Sequence, residues 1–223
     1  MEPLTDKARA TRRRILDAAI ELFEERGFDA TTLRAIARHA GVSTGLAYRY
    51  FESKDALVLE LYAQLADAFA ARLEDSPADR WAARADAALD ASFEVLEPHR
   101  DTLGALLGAM LSRRGDGIYV PWAANQARVR QGFVDAIAGA RDAPAGAESL
   151  GDTLYLVHLG ALLFWLLDRS EGQSATDELR AFLSRTTPLL GMALSLPLVR
   201  GPLDALVGIV RRGVYGVHPP EDR

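Results

Sequence analysis

Two apolar-periodic stretches, residues 33–40 and 44–50, are separated by only three residues, Gly41-Val42-Ser43. No other feature of the chain limits its fold as strongly. A strand hairpin needs apolar residues alternating at a period of two, and neither stretch alternates. Leu33, Ile36, Ala37 and Ala40 recur at i, i+3, i+4 and i+7, which gathers them on one side of a helix. Gly41 closes that helix as a residue that tolerates positive φ, and Ser43 is placed to cap the next one. Two short helices joined by a three-residue turn containing Gly make a helix-turn-helix.

The surrounding sequence extends this reading. Ile15, Ala19, Leu22 and Phe23 form one stripe of a first helix over residues 6–26, which Gly27 ends. Thr32 is placed to cap the second helix, and Ser53 a fourth that runs to about Glu74. Residues 1–52 are therefore predicted to form a three-helix domain, and residues 53–223 a larger helical body. Within the body the spacing predicts helices over 79–96, 99–112, 120–141, 148–169 and 176–195, and an amphipathic segment over 203–212. Loops are expected at 115–117, 143–146 and 170–173, where Gly and Pro cluster. No region shows strand alternation, so the predicted fold class is all-α. Nothing resembles a flexible linker, and the fourth helix is expected to join the two parts directly.

Charge narrows the function. The net charge is −5, but residues 1–55 hold ten Lys and Arg against nine Asp and Glu. Five of those basic residues fall between Lys7 and Arg14. A wholly basic nucleic-acid binder is excluded, whereas a small phosphate-touching end on an acidic body is not. Arg9, Arg12, Arg13 and Arg14 either reach an adjacent phosphate or form a solvated face. There is no cysteine, hence no disulfide framework and no thiolate metal site, which suits a cytoplasmic protein. The longest apolar run, residues 154–167, is short for a membrane span and reads as a helix buried on most sides.

The third helix has two unlike faces. Ala47, Tyr50 and Phe51 share one side and can pack inward above Val42. Thr44, Gly45, Tyr48 and Arg49 occupy the other. Its small residues let the backbone approach a surface closely, and its hydroxyls and guanidinium donate to anionic oxygens. A duplex major groove is about 12 Å wide and admits one such helix. Lys54 adds positive charge at the start of the fourth helix.

The run GVSTGLAYRYFESKDAL (41–57), with Ile15-Leu16-Asp17-Ala18-Ala19, Leu22-Phe23, Gly27-Phe28 and Thr31–Ala37 upstream, resembles the TetR/AcrR (tetracycline-repressor-like) regulators. The resemblance covers roughly residues 10–60. It implies a homodimer in which each subunit has an N-terminal DNA-binding domain and a C-terminal ligand-binding and dimerisation body. Family contact positions fall on Thr32, Arg34, Thr44, Gly45, Leu46, Tyr48, Arg49 and Lys54. Tyr48, Lys54 and the helix terminus at Thr32 would meet phosphate, and Thr44 and Leu46 would meet base edges. Arg34 and Arg49 could reach either. Tyr50 is a further family position, although the helical wheel turns it inward. Ala35 stands where the family often has an acid that completes the capping box, so that cap should be weaker.

In the body, the resemblance places the dimer interface on the helices at 148–169 and 176–195, where Gly151, Gly160 and Ala161 would allow close approach. A pocket for a small organic effector would lie among the middle helices. Phe93, Leu107, Met110, Tyr119 and Trp122 are candidates for its lining, as are Gln126, Tyr155, His158, Leu162 and Trp165. Core packing competes with that role at each position. Asp168 is expected to pair with Arg169 or Arg185. The resulting expectation is a ligand-responsive regulator, a repressor before an activator, bound to a near-palindromic duplex operator. A helical enzyme is poorly supported. The histidines at 39, 99, 158 and 218 form no ligand pair, and there is no phosphate loop or nucleophile elbow. No metal, cofactor or catalytic residue is expected, nor a membrane partner. A protein-binding adaptor would not need Thr44, Gly45, Tyr48, Arg49 and Lys54 in this arrangement.

Overall fold

The computed structural model describes residues 5–74, 79–112 and 119–194, and beyond them 196, 198–199, 201–202 and 205–209. Side chains of 108–123 and 194 lie outside that description. All regular structure among the described residues is helical. In order the helices are α1 (Asp6–Arg26), α2 (Leu33–His39), α3 (Thr44–Tyr50), α4 (Lys54–Glu74) and α5 (Trp81–Leu96). They continue as α6 (Arg100–Ser112), α7 (Tyr119–Ala138), α8 (Ala147–Leu167) and α9 (Ser174–Leu194). Single 3-10 turns precede α6 and α9. The second occupies the predicted 170–173 loop, where Gly172 takes φ of 60°. The loop predicted at 115–117 is outside the described residues, and of 203–212 only 205–209 is described, as helix.

The helices form two packing units. The first is drawn from Met1–Leu65 and Leu96–Trp122, the second from Ala66–Val95 and Ala123–Arg223. Helix α4 gives its first half to one and its second half to the other. This partition by packing cuts the chain elsewhere than the functional boundary expected at 52/53.

In the first unit, Ile15, Ala19, Leu22 and Phe23 of α1 meet Leu33, Ile36 and Ala37 of α2 and Ala47 and Phe51 around α3, all buried. Thr31 ties the α1–α2 loop down, its hydroxyl donating to the Leu22 and Gly27 carbonyls at 3.0 and 2.8 Å. Helix α6 packs on α1, burying Leu103 and Leu106, and Thr102 donates to the Glu24 carboxylate. That attachment was not expected from sequence, which assigned α6 to the body alone.

The second unit centres on Phe69, Ala85, Ala88, Leu89, Phe133, Ile137, Leu150, Leu154 and Tyr155. Helix α8 can come close to α7 because residue 151 is glycine. A β-carbon there would stand 2.6 Å from the Val134 Cα. Gly151 and the buried Ala161 thus serve packing within the subunit, while Gly160 faces open space. Asp168 starts the next helical stretch. Its carboxylate accepts from the Ser170 amide at 2.8 Å and from the Thr176 amide and hydroxyl at 2.9 and 2.6 Å. These bonds hold its carboxyl well below the usual range, Thr176 contributing most. It thereby caps the start of that stretch. Helix α8 is long and apolar enough to cross a bilayer by length and composition, and half of its most apolar stretch is buried within the unit.

Candidate nucleic-acid interface

Three local caps shape the interface, and each was legible as a hydroxyl three residues before an amide. Thr32 accepts from Ala35 N at 3.1 Å, Ser43 from Leu46 N at 3.2 Å and Ser53 from Ala56 N at 3.1 Å. Each such cap contributes about 1 kcal/mol. Ala35 has no carboxylate to return the bond, so only the forward half of a capping box is made at Thr32. Gly41 takes φ of 63°, which turns the chain from α2 into α3 at no steric cost.

The two faces of α3 separate as its spacing requires. Ala47 is fully buried and Phe51 is 2 % exposed, so the helix is anchored from behind. Tyr50 is half-buried on that side. Tyr48 is 53 % exposed, and Arg49 and Gly45 are also exposed. Thr44 and Leu46 are half-buried at the edge. Nothing within 4 Å meets a β-carbon built on Gly45, so the start of the helix offers bare backbone to an incoming surface. Arg34 is exposed in the first turn of α2. Thr32, Tyr48 and Lys54 come together as walls of one cleft of about 360 Å³, with Asp29, Glu52 and Ser53 also lining it.

Lys54 also has a structural role that the sequence did not reveal. Its ammonium donates to the Phe28 carbonyl at 2.6 Å and lies 4.4 Å from the Phe28 ring centre. It fastens the α1–α2 loop to the start of α4. Arg12 is a second structural cation. It pairs with Glu60 at 2.6 Å and stacks over Phe51 at 4.7 Å, fixing α1 to α4 behind the reading helix. Arg9 pairs with Asp6 at 2.7 Å, while Arg13 and Arg14 are exposed. Sequence reasoning missed the roles of Lys54 and Arg12 because their partners lie 26 and 48 residues away.

Residues 15–61 match the family described as bacterial regulatory proteins, tetR family. Over these residues the chain carries the sequence of a TetR-family DNA-binding domain. Among curated TetR-like relatives, the HTH-type transcriptional regulator UidR of Escherichia coli K12 is 39% identical over 64 residues, 29% of this chain and 33% of that protein. The HTH-type transcriptional repressor KstR2 of Mycobacterium tuberculosis H37Rv is 36% identical over 105 residues, 44% of this chain and 50% of that one. The chain thus spans about a third to a half of the length of these relatives. The TetR-family fold extends over most of the chain. The crystal structure of NalD, the secondary repressor of the MexAB-OprM multidrug efflux pump in Pseudomonas aeruginosa, superposes with a TM-score of 0.58. It covers 81% of this chain and 97% of NalD at 25% identity.

The residues expected to bind an effector are only partly brought together. Phe93, Tyr155, His158 and Trp165 are buried in the second unit, and Gln126 is 9 % exposed there. Phe93 meets Trp165 edge-on at 5.9 Å, and His158 lies 5.0 Å from Phe133 and 6.0 Å from Tyr155, ring centre to ring centre. Leu162 is half-buried on α8. Leu107 is half-buried on α6, in the first unit. The side chains of Met110, Tyr119 and Trp122 are outside the described residues. Phe133 and Ser92, which complete the surroundings of His158, were not foreseen. Among the described residues no group of three or more carboxylates or imidazoles is placed to hold a metal.

Proposed function

We propose that this chain is a homodimeric, DNA-binding transcriptional regulator of the cytoplasm, a repressor that a small organic effector releases from a near-palindromic operator. The observation that carries this reading is the division of α3. Tyr48 and Arg49 stand out into solvent while Ala47 and Phe51 are sealed behind them. A helix so anchored can enter a major groove with Thr44, Gly45 and Leu46 toward base edges, while Tyr48, Arg49, Arg34 and the α2 terminus at Thr32 meet phosphates. Lys54 supports that rim through the Phe28 loop and adds charge beside it.

Dimerisation is supported by two exposed apolar stripes. Gly160, Leu163, Phe164 and Leu167 recur at i, i+3, i+4 and i+7 on α8, and the last three are 47, 43 and 63 % exposed. Phe182, Leu189 and Met192 are exposed on α9, which packs beside α8. A patch of this kind on a soluble protein marks an interface, and a second copy related by a twofold axis covers it with itself. Two copies of α3 would then enter successive grooves, about 34–36 Å apart. An effector acts by binding the DNA-competent and DNA-incompetent states unequally. Repressors among its relatives favour that sign of regulation over activation.

The test is selection of duplexes from a random pool, followed by titration of the selected fluorescent duplex at two salt concentrations. The expected result is a near-palindromic site whose affinity falls steeply as salt rises, because phosphate contacts release counterions. Recovery of no preferred duplex, or binding indifferent to salt, overturns the reading.

A further inference from the structure

The interior of the second unit contains polar atoms that its own packing does not serve. His158 is 2 % exposed on α8, and its Nε2 lies 3.3 Å from the Ser92 hydroxyl. Its Nδ1 is buried without a hydrogen-bond partner among the described residues, as is Oε1 of Gln126 on α7. Buried polar atoms in native proteins are paired as a rule, so two such atoms in one apolar region point to a partner from outside the chain.

The two atoms belong to one seam. Phe133 of α7 touches His158 and Tyr155 of α8, and Val134 faces Gly151. With the short 139–146 connection these pairings set α7 and α8 antiparallel. Gln126 precedes Phe133 by seven residues, two turns along the same face. That step runs toward the level of Leu162 on α8, one turn beyond His158. Gln126 and His158 therefore mark two points along the seam, roughly 6 Å apart in height at 1.5 Å per residue. The rings along it are Phe133 against Tyr155, and Phe93 edge-on to Trp165.

Among the described residues the charges beside the seam are paired within the chain: the Arg180 guanidinium, 5.1 Å from the Phe93 ring centre, pairs with Asp90. Burial keeps the His158 imidazole neutral at ordinary pH. Asp152, the buried carboxylate on the same helix, is paired with Arg130. Gln126 Oε1 can only accept, so the group that reaches it must donate. His158 Nδ1 can donate or accept according to tautomer, and a hydroxyl satisfies it either way.

We propose that the effector of this protein is an uncharged, flat, ring-bearing molecule with hydroxyl groups at two separated positions. One hydroxyl donates to Gln126 Oε1, and the other bonds His158 Nδ1. The proposal rests on the reading of the second unit as the effector-binding body, and it names the ligand class of that site.

The probes are 2,6-dihydroxynaphthalene, 2-naphthol, naphthalene and naphthalene-2,6-dicarboxylate, each titrated into the full-length protein by calorimetry without DNA. Affinity is expected to fall in that order, on the order of tenfold for each hydroxyl lost, with no binding of the dicarboxylate. Gln126→Leu and His158→Phe should each reduce the diol to the affinity of 2-naphthol. Wild-type protein that binds naphthalene as well as the diol, prefers the dicarboxylate, or binds none of the four overturns the proposal without reference to either variant. So does a diol preference that survives in both. Operator binding is measured separately on the same preparations. Loss of the ligand order with DNA binding intact refutes the ligand class alone. Diol binding that leaves the operator complex unchanged refutes the effector role and spares the site.

Discussion

Lys54 holds its ammonium 2.6 Å from the carbonyl oxygen of Phe28 and 4.4 Å from the centre of the Phe28 ring. The α1–α2 loop is thereby tied to the first turn of α4, at the cleft that Tyr48 also lines. A hydrogen bond with a charged donor contributes about 1.5–3 kcal/mol. Lys54→Met keeps the aliphatic stem and removes the ammonium, and should lower unfolding stability by about 2 kcal/mol. It should also weaken binding to every duplex, since the rim it supports is the edge proposed to meet phosphate. An unfolding midpoint in urea equal to that of wild type would sink the structural role assigned to Lys54.

Tyr48 and Thr44 sit on the same face of α3 but should fail differently. Tyr48 is exposed, and its hydroxyl is available to phosphate. Tyr48→Phe should weaken all duplexes alike, by up to about tenfold, the worth of one hydrogen bond. Thr44→Ala should change the order of preference among operator variants instead. Neither should move the melting temperature. Equal affinities for Tyr48→Phe and wild type, across several duplexes, would show that the contact face is drawn wrongly.

The sequence made local relationships legible and distant ones not. The bounds of α1 and α3 follow from an apolar stripe and from Gly27 and Ser43, all within one or two turns of what they govern. The caps at Thr32, Ser43 and Ser53 are three-residue relationships of the same kind. Lys54 on Phe28, Arg12 on Glu60 and Phe51, and Thr102 on Glu24 depend on where whole helices dock, which periodicity does not encode. Gly151 shows the intermediate case. Its smallness signalled a close approach, but not that the neighbour would be α7 of the same chain. His158 was readable as a buried histidine from its apolar flanks, while its Ser92 partner, 66 residues earlier, was not.

Two glycines on α8 give opposite expectations. At Gly151 a methyl group would stand 2.6 Å from the Val134 Cα, a backbone atom that can yield only if α7 and α8 separate. Gly151→Ala should cost about 1–3 kcal/mol, the usual penalty of overpacking. At Gly160 nothing lies within 4 Å, and Ala is the better helix former by up to about 1 kcal/mol. Gly160→Ala should therefore hold or raise the stability of the isolated subunit. A neutral Gly151→Ala in thermal unfolding would contradict the packing of these helices.

Phe164 and Leu167 lie one turn apart on the exposed stripe of α8, at 43 and 63 % exposure. If a second copy covers them, Phe164→Arg with Leu167→Arg places uncompensated charge in an apolar contact. Sedimentation should then report a monomer. Operator affinity should fall by about a hundredfold or more, because two linked reading heads bind far better than one. A double variant that remains dimeric at micromolar concentration would remove α8 from the interface.

His158 should make stability depend on pH in a defined window. Burial pushes its imidazole down to about 3 from the ordinary value of 6.5. Below pH 6.5 the unfolded chain takes up a proton, and the folded chain does not until about pH 3. Across that interval the unfolded state holds more protons, so stability rises with pH and is lost as pH falls, by about 1.4 kcal/mol per unit. Above 6.5 the histidine contributes no slope. Acidic caps such as Asp168 also lose strength in acid, so the comparison is with His158→Gln, which keeps those groups and removes the titration. At one fixed protein concentration, the urea stability of wild type should fall more steeply than that of His158→Gln between pH 6 and 4. Parallel curves would mean that His158 gains its proton in the folded protein as readily as in the unfolded chain. The ring would then sit in water rather than between Phe133 and Tyr155.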